Sequence, residues 1–413
     1  MKIALHTYGC KVNSYESEVI RQQIKNSNLE MSDEDADVHI INTCTVTKKI
    51  DKEIFRKIKQ LKKNGKKVIL TGCLVERTDK EAEDIFSFAD EIISNDKKFR
   101  MDGIIGSKCS NDVILSDFSG KDRAYIKVED GCDNYCSYCE VPYVRGDVIK
   151  SREINDVKKE FINLVNAGFN EIVLTGVNLG FYGKESNGEK NLHKLLLNLS
   201  GINNDVRIRM SSIGPKELSD DVINLIAESD GKICPHVHLP LQSGDEKILR
   251  LMNRNYSLKE CEEKIEKIIS KIPLCAITTD VIAGFPGEGE MEFKNTYEFI
   301  KNNPFSRLHV FPFSKRPDTA ASEMREQVDD ETKKHRVNKL LRLGKMKEKE
   351  FAEKNSGLIR KVLVEKDRKD GKLSGYTDNY IRVKFDAGYD LTGKLAGVKL
   401  MEYKEGFVCG QAT

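Results

Sequence analysis

Short apolar runs alternate with longer amphipathic stretches over the first hundred residues. The runs KIALHTY, VHIINT and KKVILTG are enriched in Val and Ile and have the length of buried strands. Between them, residues 14–26 and 48–63 have the apolar spacing of amphipathic helices. This alternation of strands and helices predicts a small parallel sheet that is covered by helices on both faces.

The same alternation continues over a longer span, from about residue 123 to residue 320. Helical stretches such as 154–166, 245–252 and 257–270 separate most of the strand candidates in this span. The six candidates are AYIKVE, EIVLTGV, VRIRMSS, HVHLPLQ, ITTDVIAGFPG and RLHVFPF. Repeated β/α units in this number predict a full or partial α/β barrel.

The pattern changes after the predicted barrel. Residues 323–355 form a highly charged helical stretch that we interpret as a connector. Beyond it, short apolar runs are separated by Gly and Asp turns without any helix signal, and this predicts a small β-barrel. The expected fold class is therefore α/β, with a parallel sandwich at 1–110, a barrel at 118–350 and a β-barrel at 355–413.

The composition is that of an ordinary globular protein. Of the 413 residues, 39% are hydrophobic and 32% are charged, and no apolar run approaches the roughly 18 residues that span a bilayer. The N-terminal MKIALHTYG is too short for a signal peptide, so we expect a cytoplasmic protein that does not enter a membrane. The Lys-rich stretches 48–67 and 336–372 are typical of solvated helix faces and do not by themselves indicate a nucleic-acid partner.

Three cysteines stand close together in the segment GCDNYCSYCEVP. Cys132, Cys136 and Cys139 follow the strand candidate AYIKVE with the spacing C-x3-C-x2-C. Three thiolates on one loop can bind three irons of a [4Fe–4S] cluster and leave the fourth iron open to a small molecule. A structural zinc ion would need a fourth cysteine or histidine, and the loop has none. The spacing therefore favours an iron–sulfur cluster.

Three further cysteines are far apart in the sequence but occupy equivalent places in the predicted fold. Cys10, Cys44 and Cys73 each stand just after a strand candidate of the first domain. The carboxyl ends of parallel strands meet at one edge of a sheet, so these thiols are expected to converge. The residues alone leave two interpretations open: a second three-cysteine cluster, or three buried cysteines that act as small apolar side chains.

The segment GCDNYCSYCEVPYVRG resembles the cluster loop of the radical S-adenosylmethionine (radical SAM) enzymes. In that family the open iron binds the amino and carboxylate groups of SAM, and an electron from the cluster splits the sulfonium to methionine and a 5′-deoxyadenosyl radical. The resemblance implies that Tyr138 packs near the adenine and that Thr175 and Gly176 contact the methionine part. Ser211 and Gln242 are further predicted SAM contacts.

The first and last domains extend this resemblance to the methylthiotransferases. The segments YGCKVNSYESE, INTCTVT and TGC look like the N-terminal domain of those enzymes, and GYTDNYIRVKF resembles their C-terminal RNA-binding barrel, called TRAM. The resemblance covers essentially the whole chain. It implies that Cys10, Cys44 and Cys73 hold a second, auxiliary [4Fe–4S] cluster.

Several segments resemble one branch of that family most. GCKVNSYE, LTGVNLGFYG, CPHVHLPLQSG, MNRNY and HVFPFSKRP look like the branch that acts on N6-threonylcarbamoyladenosine in tRNA. Two positions depart from the family pattern: Glu140 replaces a usually apolar residue, and Asp318 replaces a usual Gly. Neither is a cluster ligand, so both departures concern the geometry of local loops.

Other polar residues are candidates for RNA contacts. Tyr380, Arg382 and Lys384 alternate along one strand of the terminal barrel and therefore share a face. With the nearby Tyr376 they offer positive charge and stacking surface to RNA. The family resemblance implies that Arg145 is a further contact at the mouth of the central barrel. An ordinary solvated barrel face is the alternative for the terminal group.

A second run of potential metal ligands has alternating spacing. Cys234, His236 and His238 could face one ion. By the family resemblance this run is an inner barrel strand that faces the substrate cavity, and we do not expect a separate metal site there. The remaining cysteines lack the spacing of ligands and are predicted to be structural: Cys109, Cys261, Cys275 and Cys409.

The resemblance implies an enzyme that adds a methylthio group to C2 of N6-threonylcarbamoyladenosine at position 37, beside the anticodon of tRNA. It implies two [4Fe–4S] clusters and SAM as cofactors, the tRNA anticodon stem-loop as partner, an electron donor such as flavodoxin or ferredoxin, and a monomer. The alternatives are methylthiolation of isopentenyladenosine in tRNA or of a ribosomal protein side chain. A non-catalytic iron–sulfur module that binds RNA is the third possibility.

Overall fold

The computed structural model of the protein describes residues 1–27, 29–33, 35–99, 114–202, 205–369 and 371–413. Along these residues the chain forms a parallel sheet with helices, then a larger parallel α/β unit, then a closed β-barrel. In the part of the chain described here, no helix is both long enough and apolar enough to cross a membrane. The three-part α/β architecture predicted from the sequence is confirmed.

The N-terminal unit is a five-stranded parallel sheet with the strand order β2-β1-β3-β4-β5. Its strands are β1 Lys2–Thr7, β2 Glu30–Met31, β3 Val38–Thr43, β4 Lys67–Gly72 and β5 Glu91–Ile92, and its helices are α1 Lys11–Asn26, α2 Lys48–Lys63 and α3 Lys80–Phe86. Adjacent residues of β3 point to opposite faces, so Ile40 packs against α1 and Ile41 packs against α2. Both faces are therefore buried.

The central unit has eight strands, and six of them are parallel and form two groups of three. The eight strands are β6 Ala124–Lys127, β7 Glu129–Asp130, β8 Lys150–Ser151, β9 Glu171–Thr175, β10 Arg207–Met210, β11 His236–His238, β12 Ala276–Ala283 and β13 Phe305–Pro312. The two groups have the orders β10-β9-β6 and β11-β12-β13, and single parallel bridges such as Ser212 with His238 join them. Within the described residues β6 does not pair with β13, so the barrel is partial; β7 and β8 form a separate antiparallel pair.

Helices surround this partial barrel. They are α4 Val141–Arg145, α5 Ile154–Asn166, α6 Leu192–Ser200, α7 Asp220–Glu228, α8 Glu246–Leu251, α9 Leu258–Lys271, α10 Glu290–Asn302 and α11 Ala320–Glu323. The largest apolar core joins helices α5 to α10 to the strands, and it also includes Tyr15 and Val19 from α1. Helix α1 thus packs against both the N-terminal sheet and the central unit, and this fixes the two units side by side.

A long helix leads to the terminal barrel. Helix α12 spans Asp330–Lys354, close to the predicted connector. The strands that follow are β14 Ile359–Lys369, β15 Lys372–Thr377, β16 Arg382–Asp386, β17 Leu395–Lys404 and β18 Phe407–Ala412. They close in the order β14-β15-β16-β18-β17 around a separate apolar core. The predicted small β-barrel is confirmed.

Candidate active site between two sets of three cysteines

Three cysteine side chains meet at the carboxyl edge of the N-terminal sheet: Cys10, Cys44 and Cys73, hereafter the N-terminal trio. They follow β1, β3 and β4, as the sequence predicts. The side-chain amide of Asn13 ties two of the loops together, because it donates hydrogen bonds to the carbonyl oxygens of Tyr8 and Thr43, both at 2.8 Å. Convergence of the three thiols thus follows from the parallel topology and from one buried amide.

Two glycines allow these loops to approach each other closely. A Cβ atom on Gly9 (φ +104°) would lie 2.6 Å from the Cβ of Cys44, and a Cβ on Gly72 (φ +94°) would lie 2.4 Å from the carbonyl oxygen of Thr43. Both distances are far below van der Waals contact, and glycine adopts both φ values without strain. The residues that precede Cys10 and Cys73 must therefore be glycines.

Cys132, Cys136 and Cys139, hereafter the barrel trio, lie on the loop between β7 and α4. The amide of Cys139 donates to the carbonyl oxygen of Cys136 at 2.9 Å. Two donors point at sulfur atoms: Arg254 Nη1 lies 3.4 Å from Cys136 Sγ, and the amide of Val141 lies 3.5 Å from Cys139 Sγ. Hydrogen bonds to ligand sulfurs are among the interactions that tune iron–sulfur clusters.

Burial controls the protonation of the cysteines in both trios. It raises the pKa of Cys44 and of Cys139 to about 12, and neighbouring thiols of the same trio contribute to both shifts. Burial likewise raises the pKa of Cys132 to about 11. A metal cluster beside these thiols would favour their ionised form. Burial raises the pKa of the structural Cys261 and Cys275 to about 12 as well, so the shift alone does not identify a metal ligand.

A cavity of about 260 Å³ lies between the two trios. Its wall includes all three cysteines of the N-terminal trio and Cys139 of the barrel trio, and Tyr138, Gln242 and Asp280 line it from the barrel side. Ile282, Phe311 and Phe313 give part of the wall an apolar surface. A flat group that enters this space is next to both sets of thiols at once.

Arg145, a predicted RNA contact, is buried in the wall of this cavity. Its guanidinium donates to Glu16 at 3.1 Å and to Asp130 at 3.2 Å, and it also donates to the side-chain oxygen of Asn13. Because Asn13 holds two loops of the N-terminal trio, Arg145 connects those loops to the barrel-trio region. Its charge is paired within the protein, and a contact with RNA stays a prediction.

A second polar network joins the two trios directly, and its members were not anticipated from the sequence. Thr45, which follows Cys44, donates its hydroxyl to Glu140, which follows Cys139, at 2.8 Å. Arg316 donates to Glu140 at 3.0 Å and to Asp51 at 2.8 Å. The unusual Glu140 thus has a buried partner on each side. The only sequence signal was the presence of charged residues next to predicted ligands.

The other departure from the family pattern has a conformational explanation. Asp318 adopts φ +60°, in the left-handed region where a glycine is the usual residue. Asp is one of the few other residues that enter this region readily. The turn after β13 is therefore retained.

The residues predicted to bind SAM lie at the carboxyl ends of the barrel strands. Thr175 ends β9, and Gly176 after it packs so tightly on Glu129 that a Cβ would lie 1.9 Å from its carboxylate oxygen. Ser211 follows β10, and Gln242 adopts φ +67° at the cavity wall. These residues share the strand-end edge that the sequence predicts for them, and their contact with SAM remains a prediction.

Two polar atoms at this edge are buried without a hydrogen-bond partner in the described structure: Ser211 Oγ and Glu129 Oε2. Buried polar atoms are normally satisfied, and a ligand or a water molecule at this edge would complete the hydrogen bonding of these two. Burial raises the pKa of Glu129 to about 8, and at neutral pH its carboxyl group is therefore mostly protonated and can donate. Glu129 was not identified from the sequence; a carboxylate between a strand and a cysteine loop is a weak signal.

The predicted RNA-binding face of the terminal barrel has a different partner in the structure. The ring of Tyr380 stacks on His236 of the central unit at a centroid distance of 4.5 Å and on Tyr376 at 4.9 Å. Arg209 lies 5.0 Å from the ring centroid of Tyr380 and donates to the carbonyl oxygen of Asp378. These contacts dock the face onto the amino ends of the central strands.

Arg382 and Lys384 are also half-buried. Arg382 lines a small pocket beside Glu348 of α12, and the amino group of Lys384 lies 4.3 Å from the ring centroid of Phe407. The sequence shows that the face is aromatic and basic, but it does not show that its partner lies in the same chain. The central unit therefore covers part of this face, and contact of its residues with RNA stays a prediction.

The remaining cysteines and the run of Cys234, His236 and His238 do not form a common metal site. Cys234, Cys261 and Cys275 are buried and Cys409 is partly buried, while Cys109 lies outside the described residues. His236 accepts or donates a hydrogen bond with Thr278 at 3.0 Å and is covered by Tyr380. Cys234 and His236 therefore do not join His238 in a common ligand set.

Two family matches follow the division of the fold. Residues 2–94 match the family described as Uncharacterized protein family UPF0004, and residues 126–300 match the Radical SAM superfamily. The threonylcarbamoyladenosine tRNA methylthiotransferase MtaB of Bacillus subtilis (strain 168) is 37% identical over 98% of this chain and 95% of its own length. The chain belongs to the radical SAM methylthiotransferase family. This confirms the resemblance to the methylthiotransferases that the sequence motifs indicate.

Other relatives of similar identity also carry the names of tRNA methylthiolating enzymes. The MtaB protein of Thermotoga maritima is 36% identical over 93% of this chain and 91% of its own length. The tRNA-2-methylthio-N(6)-dimethylallyladenosine synthase of Carboxydothermus hydrogenoformans is 35% identical over 96% of both chains. SAM and iron–sulfur clusters, the cofactors implied by the sequence, are those of this family.

A solved structure confirms the fold class. The radical SAM methyltransferase TsrM of Kitasatospora setae, with tryptophan and a SAM analogue bound, superposes with a TM-score of 0.58 over 87% of this chain and 78% of its own. The identity is 12%, so the likeness concerns the fold alone.

Proposed function

We propose that this protein is a methylthiotransferase that modifies C2 of N6-threonylcarbamoyladenosine at position 37 of tRNA. The observation that carries the proposal is the single cavity lined by cysteines of both trios. The reaction needs one centre that activates a C–H bond and one that supplies sulfur, and the cavity is next to both. Relatives named for this reaction match nearly the whole chain at 36–37% identity.

Each trio would hold three irons of a [4Fe–4S] cluster. In the barrel trio, a cluster with bound SAM would supply radical chemistry for an aromatic C–H bond that no base can deprotonate. In the N-terminal trio, a cluster would hold the sulfur, which a second SAM would methylate. The chain's own residues bind and orient the reactants. Ser211 and the protonated Glu129 offer unpaired polar atoms to a ligand at the strand ends.

The cavity wall supports binding of a flat base. Ile282, Phe311 and Phe313 provide apolar surface that excludes water from one side of the space. A base inside a stacked helix cannot reach such a cavity, whereas a base of a single-stranded loop can be splayed out to enter it. The anticodon loop of tRNA meets this requirement.

We also propose the domain limits, the electron donor, the oligomeric state and the location of the protein. The domains are taken as an N-terminal methylthiotransferase domain at 1–110, a radical SAM domain at 118–350 and a TRAM-like domain at 355–413. An electron donor such as flavodoxin or ferredoxin would reduce the barrel-trio cluster, and the protein would act as a monomer. A tRNA substrate would place it in the cytoplasm.

Nucleoside analysis of a deletion strain tests the substrate. We expect mass spectrometry of digested tRNA to show loss of 2-methylthio-N6-threonylcarbamoyladenosine and accumulation of the unthiolated nucleoside. Expression of the wild-type chain should restore the product, and expression of the Cys44→Ala variant should not. Loss of the methylthio-isopentenyl nucleoside instead would overturn the substrate and favour the reaction named for the 35% identical relative.

A further inference from the structure

Three side chains outside both cysteine trios converge on the inner face of the sheet β11-β12-β13. His238 Nε2 lies 3.2 Å from Asp280 Oδ2, and His309 Nδ1 lies 3.2 Å from Asp280 Oδ1. All three ligand atoms lie within 4.8 Å of one another. The register explains this, because Asp280 is paired with His309 and His238 is paired with Thr278, two positions from Asp280 on the same strand face.

The two separations suit a metal site as well as a hydrogen-bonded cluster. At 3.2 Å, both lie at the long end of N–H···O hydrogen bonds, which are about 2.7–3.2 Å long. Ligand atoms at the corners of a tetrahedron around a metal ion, with bonds of about 2.0–2.1 Å, are roughly 3.3 Å apart. The three side chains therefore already have the spacing that a bound metal ion requires.

The surroundings of His238 fit a metal ligand. Its Nδ1 lies 2.9 Å from the hydroxyl of Thr278, and in the tautomer that donates to this hydroxyl, Nε2 carries the lone pair that binds a cation. Histidine ligands of metals usually have such a partner on the second nitrogen. Burial alone would raise the pKa of Asp280, but the two imidazoles lower it well below its usual range, so the carboxylate is ionised.

We propose that His238, Asp280 and His309 form a binding site for a divalent transition metal ion, in addition to the two iron–sulfur clusters. Two imidazoles and one carboxylate suit zinc, manganese or ferrous iron. Three protein ligands leave coordination positions open, and these face usable space because Asp280 lines the active-site cavity and the His309 side chain is 40% exposed. The site differs from the sequence-based group, since Cys234 and His236 take no part.

The proposed substrate carries groups that can fill the open coordination positions of the metal ion. This part of the inference rests on the proposed function. The substituent on N6 of threonylcarbamoyladenosine ends in a carboxylate and also carries a hydroxyl group. A carboxylate that approaches Asp280 directly would meet a like charge, whereas a bound cation converts the same place into an attractive one. The site would then select the threonylcarbamoyl group over an apolar isopentenyl group.

Manganese binding tests the metal site. The protein is used with both clusters loaded and oxidised, so that the thiolates are occupied, and Mn²⁺ is chosen because it prefers oxygen and nitrogen ligands to sulfur. Electron paramagnetic resonance of free Mn²⁺ should show about one ion bound per chain, displaced by Zn²⁺ because zinc binds such donors more strongly. Asp280→Asn and His309→Gln should each weaken binding at least roughly tenfold.

Matched variants provide the controls. His335→Gln, on the exposed surface of α12, should bind Mn²⁺ as the wild type does. Thr278→Val keeps all three ligands and removes only the partner of His238, so we expect about a tenfold loss of affinity. Iron content verifies that each variant is folded. Absence of Mn²⁺ and Zn²⁺ binding, or binding that persists in the Asp280→Asn/His309→Gln double variant, would overturn the site.

The substrate step is tested separately. Threonylcarbamoyladenosine labelled with ¹³C in its carboxylate should give a ¹³C coupling to the bound Mn²⁺ in electron–nuclear double resonance. Bound Mn²⁺ without this coupling overturns the role in recognition but keeps the metal site. Metal binding is measured without RNA, so a protein that does not bind Mn²⁺ leaves the proposed function intact. Conversely, a metal-loaded enzyme that does not methylthiolate this tRNA overturns the proposed function alone.

Discussion

Single residues decide whether the N-terminal trio can assemble. Gly9 and Gly72 stand before Cys10 and Cys73, and both have positive φ values and no room for a Cβ atom. The side-chain amide of Asn13 then bonds across the gap between two of the loops. The chemistry of this edge therefore depends on three residues that are not ligands.

Replacement of Gly9 by Ala is expected to push the Cys44 loop away and to lower the iron content of the N-terminal trio. Gly65→Ala is a matched control, because Gly65 also has a positive φ of +68° but no atom lies within 4 Å of its Cβ position. Iron and sulfide analysis of both variants checks this. Equal iron content in Gly9→Ala and Gly65→Ala would contradict the steric argument.

At the scale of elements, the ends of strands explain most of the site. Parallel strands of alternating β/α units end at a common edge, so the convergence of the N-terminal trio could be predicted from the apolar runs that precede its cysteines. The barrel trio could be predicted from its C-x3-C-x2-C spacing on one loop. The contacts that fix one trio relative to the other could not be predicted from the sequence. Arg316 bonds to Glu140 across 176 positions and to Asp51 across 265, and no local pattern indicates such pairs.

The Glu140→Gln variant tests whether this network positions the two trios. The change removes the charge that pairs with Arg316, so the loops behind Cys44 and Cys139 should lose their common anchor. We expect both clusters to be retained, with more SAM cleaved per methylthio group transferred. Counting 5′-deoxyadenosine against product measures this ratio. Glu83→Gln, on the exposed surface of α3, is the control, and an unchanged ratio in Glu140→Gln would show that the network is not required.

At the scale of the whole molecule, the three units form one connected structure. Helix α1 packs on the N-terminal sheet and on the central unit, and the turn after β15 docks onto the amino ends of the central strands. The number and order of the units could be predicted, because each has its own periodicity of apolar residues. The docking of the terminal barrel onto the central unit could not be predicted, because an aromatic and basic face has the same sequence signature whether it binds RNA or another domain.

Tyr380→Ala is expected to destabilise this docking. Loss of the stacking with His236 and Tyr376 should lower the free energy of unfolding by about 1–3 kcal/mol. Chemical denaturation measures the change, with Tyr389→Ala on the exposed surface of the same barrel as control. A variant with unchanged stability but weakened tRNA binding would instead restore the RNA-binding role predicted from the sequence.

The most direct test of two cluster sites beside one cavity is the iron and sulfide content of the reconstituted chain. We expect roughly eight irons per wild-type chain and about four in a variant with all three N-terminal cysteines changed to alanine. That variant should still cleave SAM but should transfer no methylthio group. About four irons in the wild-type chain, or loss of SAM cleavage in the variant, would contradict this expectation.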